Sequence, residues 1–256
     1  MTTAMPLRLH GVTKAYRGRT VLGPIDLTLE AGRVYGLIGE NGAGKSTLIR
    51  IVTGTASPSS GSVELFGERG GRGLAAARRR MGYMPDASSA YPDLSARANL
   101  EVRCLEWGVP ASGVDGLLEA VGLETAGKKR VRAFSMGMRR RLDLAVALLG
   151  DPELVVMDEP VNGLDPTGII EVRELVRRVN RERGTTFLVS SHILPELAEV
   201  ATDYVVVSQG RLAGTVPARD AVGAASLEAP MSGASKGQSP QSAYQTCVPP
   251  REFFLQ

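Results

Sequence analysis

The sequence predicts an α/β fold, and three observations carry that prediction. The Gly-rich stretch Gly39-Glu40-Asn41-Gly42-Ala43-Gly44-Lys45-Ser46 stands between the apolar run Val34 to Ile38 and a helix-like stretch that opens at Thr47. The runs Leu154 to Met157 and Thr186 to Val189 are short and rich in β-branched residues, as buried parallel strands are. Between them Val172, Leu175, Val176 and Val179 recur at helical spacings, which predicts a helix over about 168–183 and closes a βαβ unit.

Taken in chain order, Leu7 to Val12 and Ile25 to Leu29 alternate or run apolar between Gly and Pro punctuation, predicting a strand-rich opening that ends at the Gly-rich loop. Val63 to Phe66 reads as a further short strand. Ser95 is placed to cap a helix through about Trp107, and a second helical stretch runs from about Gly113 to Val121. An apolar-periodic run to Leu149 follows Phe134-Ser135-Met136-Gly137-Met138, so residues 86–150 read as a helical insertion. Tyr204 to Val207 makes a last strand before Gly210. Residues 1–215 are thus expected to form one domain. Residues 216–256, rich in Ala, Gly, Ser, Pro and Gln without a period, are expected to be a disordered tail.

The Gly-rich loop has phosphate-loop spacing in its required context of strand before and helix after. Glycines let successive backbone N–H groups turn toward oxyanions. Lys45 brings a mobile cation to the β/γ-phosphates, and Ser46 offers a hydroxyl to Mg2+. A nucleoside triphosphate site is the implication. Such a loop needs a second, carboxylate-bearing strand to hold the metal, and Leu154 to Met157 ends in Asp158 and Glu159 before Pro160 stops it. Asp158 falls on the metal side, and Glu159, one residue on, is placed to polarise an attacking water. Ser135 and Gly137 stand at a helix N-terminus, where anions bind. Asn162-Gly163-Leu164-Asp165 and His192 follow downstream.

At 256 residues the chain buries one substantial core but not two independent catalytic domains. A formal charge of +3, from 30 Lys and Arg against 27 Asp and Glu spread along the chain, gives no argument for nucleic acid. Basic runs at Arg78 to Arg80, Lys128 to Arg130 and Arg139 to Arg141 read as solvated faces. Cys104 and Cys247 lack metal-ligand spacing and offer at most one disulfide, which points to the reducing cytosol. The longest apolar stretches fall short of the roughly 20 residues that span a bilayer, so a membrane role has to come through a partner.

In this order the motifs resemble those of the ATP-binding-cassette (ABC) ATPases, over nearly all of residues 7–212. Tyr16 resembles the aromatic residue that stacks on adenine, and the loop from Gly39 through Thr47 the Walker A segment. Tyr83-Met84-Pro85-Asp86 resembles the Q-loop, Phe134 to Met138 the family signature, and Leu154 to Glu159 Walker B with its glutamate. Asn162 to Asp165 resembles the D-loop, and His192 the switch histidine. The resemblance implies a P-loop NTPase core with an N-terminal antiparallel β subdomain and a helical insertion subdomain.

It further implies ATP with Mg2+, and catalysis by Glu159, His192 and Lys45. Ser46 and Asp158 would hold the metal, with Asp86 beside them. Ser135 and Gly137 would reach the γ-phosphate in a second cassette, in a homodimer linked through Asp165. The partner would be an integral membrane permease. The chain would then be a cytoplasmic protein on the inner face of the membrane that powers export of the drug, antibiotic or ion type. A soluble single-cassette ATPase of an assembly machine is the alternative. The chain departs from the family pattern at Asp86, where Gln is usual, and at Met136 and Met138, which replace the first Gly and the Gln of the signature. A carboxylate at position 86 accepts hydrogen bonds but cannot donate them as an amide does.

Overall fold

The computed structural model describes residues 5–192 and 197–220. Two sheets organise them. Strands β1 (Leu7–Tyr16) and β2 (Arg19–Leu29) pair antiparallel, β4 (Ser60–Leu65) pairs antiparallel with the other edge of β1, and β5 (Glu68–Arg69) closes a four-stranded sheet in the order β2-β1-β4-β5. The second sheet runs β10-β9-β3-β8-β7-β6, built from β3 (Val34–Ile38), β6 (Met81–Met84), β7 (Leu154–Met157), β8 (Thr186–Ser191), β9 (Asp203–Ser208) and β10 (Arg211–Pro217). Within it every pairing is parallel except that of β9 with β10.

The larger sheet is buried on both faces, and its alternation shows why its strands read as continuous apolar runs. Val155 and Met157 pack with the helices, whereas Leu154 and Val156 pack toward the antiparallel sheet. The same switch separates Phe187 and Val189 from Leu188, and Tyr204 and Val206 from Val205 and Val207. Both faces need apolar side chains, so polar residues such as Thr186, Ser190, Ser191 and Asp203 are confined to the strand ends.

Helix α1 (Lys45–Thr53) follows the Gly-rich loop, and α2 (Gly71–Arg78) follows β5. The helical layer holds α3 (Ala96–Trp107), α4 (Val114–Ala120) and α5 (Met136–Ala147), all inside 86–150, while α6 (Pro166–Arg183) crosses from β7 to β8. Ser95, Ser135 and Asp165 cap α3, α5 and α6 by accepting the backbone N–H of Ala98, Met138 and Gly168. Leu100, Cys104, Leu117, Leu142 and Val146 join the core cluster beneath this layer.

One expectation needs correction. The strand expected at Val63 to Phe66 starts earlier and stops before Phe66, whose φ of 52° lies in the left-handed region. Strand β10 continues past residue 215: Val216 and Pro217 pair with Tyr204 and Asp203, and Ala218 donates to the Thr202 carbonyl at 2.9 Å. Backbone pairing against β9 holds this segment although its composition lacks a pattern. Residues 221–256, which include most of the expected tail, lie outside the described residues. No helix among the described residues is long and apolar enough to cross a membrane.

Candidate functional site

Four neighbouring parallel strands, in the order β3-β8-β7-β6, deliver the phosphate loop, Asp86, Asp158, Glu159 and His192 at their C-terminal ends. β3 leads into the Gly-rich loop, β8 into His192, β7 into Asp158 and Glu159, and β6 into Asp86. The crevice beyond the carboxyl ends of parallel strands is where ligands bind in such sheets. Here it is a groove of about 560 Å³ whose lining includes Glu40, Lys45, Ser46, Asp86, Glu159 and His192. A larger cavity of about 710 Å³ lies at the other end of the strands, against Glu153 and Thr186, away from all of these groups.

The loop is held in shape by the protein's own contacts. Gly42 and Gly44 sit at φ of 81° and 109°, and a Cβ on Gly44 would lie 2.5 Å from Leu22 Cδ2. A Cβ on Gly39 would lie 2.2 Å from the Val207 carbonyl oxygen, so glycine alone lets β3 leave the sheet beside β9. The hairpin at Gly210 braces the loop from behind: Gly210 donates to the Ala43 carbonyl at 2.9 Å and accepts from Gly23 N at 2.8 Å. No side chain caps α1, so its first N–H groups are left to an anion.

Lys45 is buried, its Nζ 2.7 Å from the Gly39 carbonyl oxygen and 3.9 Å from Glu159 Oε1. Burial pulls its pKa below the usual lysine range, and the charges of Glu159 and Asp158 oppose that pull without cancelling it.

Asp158 is buried. Its Oδ1 accepts the Ser190 hydroxyl at 2.7 Å and lies 3.5 Å from Ser46 Oγ, while its backbone N–H donates to Met84 O at 2.9 Å. Ser190 Oγ also accepts the Glu159 N–H at 2.9 Å, so one hydroxyl fixes both consecutive acids. Glu159 is held at a φ of 49°, outside the ordinary range for a non-glycine residue, which turns its carboxylate off the strand direction. There Oε2 lies 2.9 Å from His192 Nδ1.

The hydroxyl of Ser46 and the carboxylate of Asp158 are hard oxygen donors side by side. Among the described residues no three His, Cys, Asp or Glu gather to hold a metal. That donor set suits Mg2+, which is held through one or two carboxylates together with substrate phosphates rather than in an all-protein cage.

The structure does not bring every predicted residue to this groove. Ser135 and Gly137 are not among its lining residues; they open α5, where a Cβ on Gly137 would meet nothing closer than Leu164 Cδ2 at 3.9 Å. The backbone there is open to close approach. Met136 needs no glycine, because it begins the helix with an ordinary φ, and it points largely into solvent. The Gly163 turn packs beside it, and Asp165 spends its carboxylate on the α6 cap, accepting Gly168 N at 3.2 Å. Tyr16, at the β1–β2 turn, is exposed with Lys14 Nζ 4.8 Å from its ring centroid. The Asp86 carboxylate pairs with Arg140, Nη2 to Oδ1 at 3.2 Å.

Sequence reasoning missed Ser190 and Arg140. For Ser190, a polar residue closing the apolar run Thr186 to Val189 is the signal that could have found it. Arg140 was read as part of a solvated basic run and is buried, because successive helical residues point about 100° apart.

The model of the ABC transporter family matches residues 22–162. The chain is 39% identical over 212 residues to the bacitracin transport ATP-binding protein of Bacillus licheniformis, covering 82% of this chain and 69% of that protein. It is 39% identical over 206 residues to the lantibiotic transport ATP-binding protein of Streptococcus pyogenes, covering 80% and 88%. The structure of cbiO1 from Clostridium perfringens, part of an ABC transporter complex, shares the fold with a TM-score of 0.79 at 23% identity, over 88% of this chain and 93% of that one.

Proposed function

The chain belongs to the ABC transporter family as an ATP-binding subunit with ATPase activity, and on that premise we propose that it powers export through a separate membrane permease by ATP-driven pairing with a second copy of itself. One observation carries the pairing: the groove gathers the phosphate loop, Asp86, Glu159 and His192, with Asp158 buried behind Ser46, while the open helix terminus at Ser135 and Gly137 is not among its lining. A second chain, docked head to tail, would bring that terminus to the γ-phosphate. The relatives named for bacitracin and lantibiotic transport support a cargo of the drug or antibiotic type.

In this reading the loop amides and Lys45 hold the phosphates, and Tyr16 stacks on the adenine. Ser46 and Asp158 hold Mg2+, directly or through water, with the Asp86 carboxylate beside them. Bound there, the ion neutralises charge on the phosphate oxygens. Glu159 takes the proton of the attacking water. His192 orients that carboxylate through the 2.9 Å contact and reaches the γ-phosphate with its other nitrogen. Asp165 stands at the subunit junction. The protein works at the cytoplasmic face, held there by the permease.

The test is recovery of tagged Glu159→Gln protein with ATP from detergent-solubilised membranes of the source cells. Co-purification of an integral protein with several spans is the expected result. Soluble partners alone would overturn the transport reading in favour of an assembly ATPase.

A further inference from the structure

We propose that Arg140 is a positioning residue: it clasps Asp86, on the groove wall, to the helix that presents Ser135 and Gly137, so that the two move as one unit. The proposal rests on the reading above that Ser135 and Gly137 serve nucleotide in a partner chain.

The Arg140 side chain is only 7% exposed. A guanidinium cannot be neutralised by losing its proton, so burial obliges it to find a counter-charge. It finds one in Asp86 Oδ1, and it also donates to the Pro85 carbonyl at 3.2 Å. One turn along α5, buried Asp143 accepts the Ser88 hydroxyl at 2.7 Å. Helix α5 therefore grips residues 85–88 at two points. From α3, Arg103 donates to Ser89 O at 2.7 Å, and Asn99 Oδ1 accepts Tyr91 N at 2.6 Å.

The segment from Pro85 to Tyr91 is thus fastened by side chains to the helical layer. Its other end stays with the catalytic strands, because Met84 O accepts Asp158 N. Asp86 lies between, its side chain more than half exposed in the groove. A displacement of Asp86 by nucleotide is passed to α5 through a charged, two-bond contact. Asp at position 86 and Arg at position 140 suit one another: a Gln at 86 would take from the buried guanidinium its hydrogen-bonded counter-charge and leave it only the more distant charge of Asp143.

The experiment is hydrogen exchange on the full chain carrying Glu159→Gln, with and without Mg-ATP, compared with the same chain carrying Arg140→Gln. The parent should show ATP-dependent protection both in the phosphate loop and in residues 135–139. With Arg140→Gln the loop protection should persist, while the response of 135–139 falls at least about fivefold, the low end of ordinary coupling between sites. Adding Asp86→Gln, which replaces the ion pair by two amides, should restore part of it. Separately, Arg140→Gln in the active chain should lower kcat with the KM for ATP nearly unchanged. Should Arg140→Gln fail to fold, Arg140→Lys is measured in its place. A full response of 135–139 without Arg140, or none in the parent, overturns the clasp. An ATP-dependent change in the parent's size on a sizing column judges the pairing independently: a persistent monomer whose 135–139 response still depends on Arg140 overturns the pairing and keeps the clasp.

Discussion

His192 Nδ1 lies 2.9 Å from Glu159 Oε2, and the same carboxylate has its other oxygen 3.9 Å from Lys45 Nζ. The carboxylate proposed as base is thus held between an imidazole on one side and a buried ammonium on the other.

Replacing Glu159 by Gln keeps the shape and the backbone bond to Ser190 but removes the basic oxygen. ATP should still bind, and turnover should be slower by at least about 100-fold, the scale of general-base contributions. Steady-state hydrolysis with a parallel binding assay checks this, and near-normal turnover would remove Glu159 from that role.

Burial lowers the pKa of Lys45, with Glu159 and Asp158 pulling the other way. A folded-state value below the unfolded one means that the charged ammonium costs folding free energy at pH below the folded value, and that this cost fades as pH rises through it. Phosphates reverse the balance by favouring the charged form. ATP affinity should therefore weaken as pH rises through the lowered pKa, with net proton uptake on binding in that range. Calorimetric titrations in buffers of different ionisation heat would show both effects, and a Kd independent of pH up to the ordinary lysine range would contradict them.

Ser190→Ala removes the hydroxyl shared by Asp158 Oδ1 and Glu159 N. A buried carboxylate loses its donor and a backbone N–H its acceptor, so stability should fall by about 1–3 kcal/mol. Loss of the group that orients both acids should also lower kcat roughly 10-fold or more. A reduced Tm with unchanged kcat would make Ser190 a purely structural residue.

Gly39→Ala would drive a methyl group to 2.2 Å from the Val207 carbonyl oxygen. The strands must separate to admit it, at a cost of about 1–3 kcal/mol. Thermal melting should show the loss, and ATP affinity should fall with it because the loop leaves β3 at this residue. An unchanged Tm would show that β9 yields there freely.

Much of this was legible because local chemistry and global fold agree. The phosphate loop, the acids after β7 and the caps Ser95 and Ser135 each sit where a local rule puts them. What was not legible depends on contacts far apart in sequence. β6, Met81-Gly82-Tyr83-Met84, has no period of its own and becomes a strand by pairing with β7. Helix α2 buries only Ala77, so Gly71 to Arg78 gave no amphipathic stripe to read. Ser190 and Arg140 acquire their roles from Asp158 and Asp86, 32 and 54 residues away. Residues 216–217 were read as irregular because only β9, across the hairpin, supplies their order.

The bond from Gly210 to the Ala43 carbonyl, with those from Lys45 to Gly39 O and from Ala43 N to Glu40 O at 3.1 Å, gives the loop its curve from within the protein. The conformational entropy of curling eight residues around a phosphate is accordingly lost on folding and not on nucleotide capture. Nucleotide binding at this loop should then be limited by the encounter with a ready-made cradle, and its entropy should carry the signature of released water and counter-ions more than that of a stiffening chain.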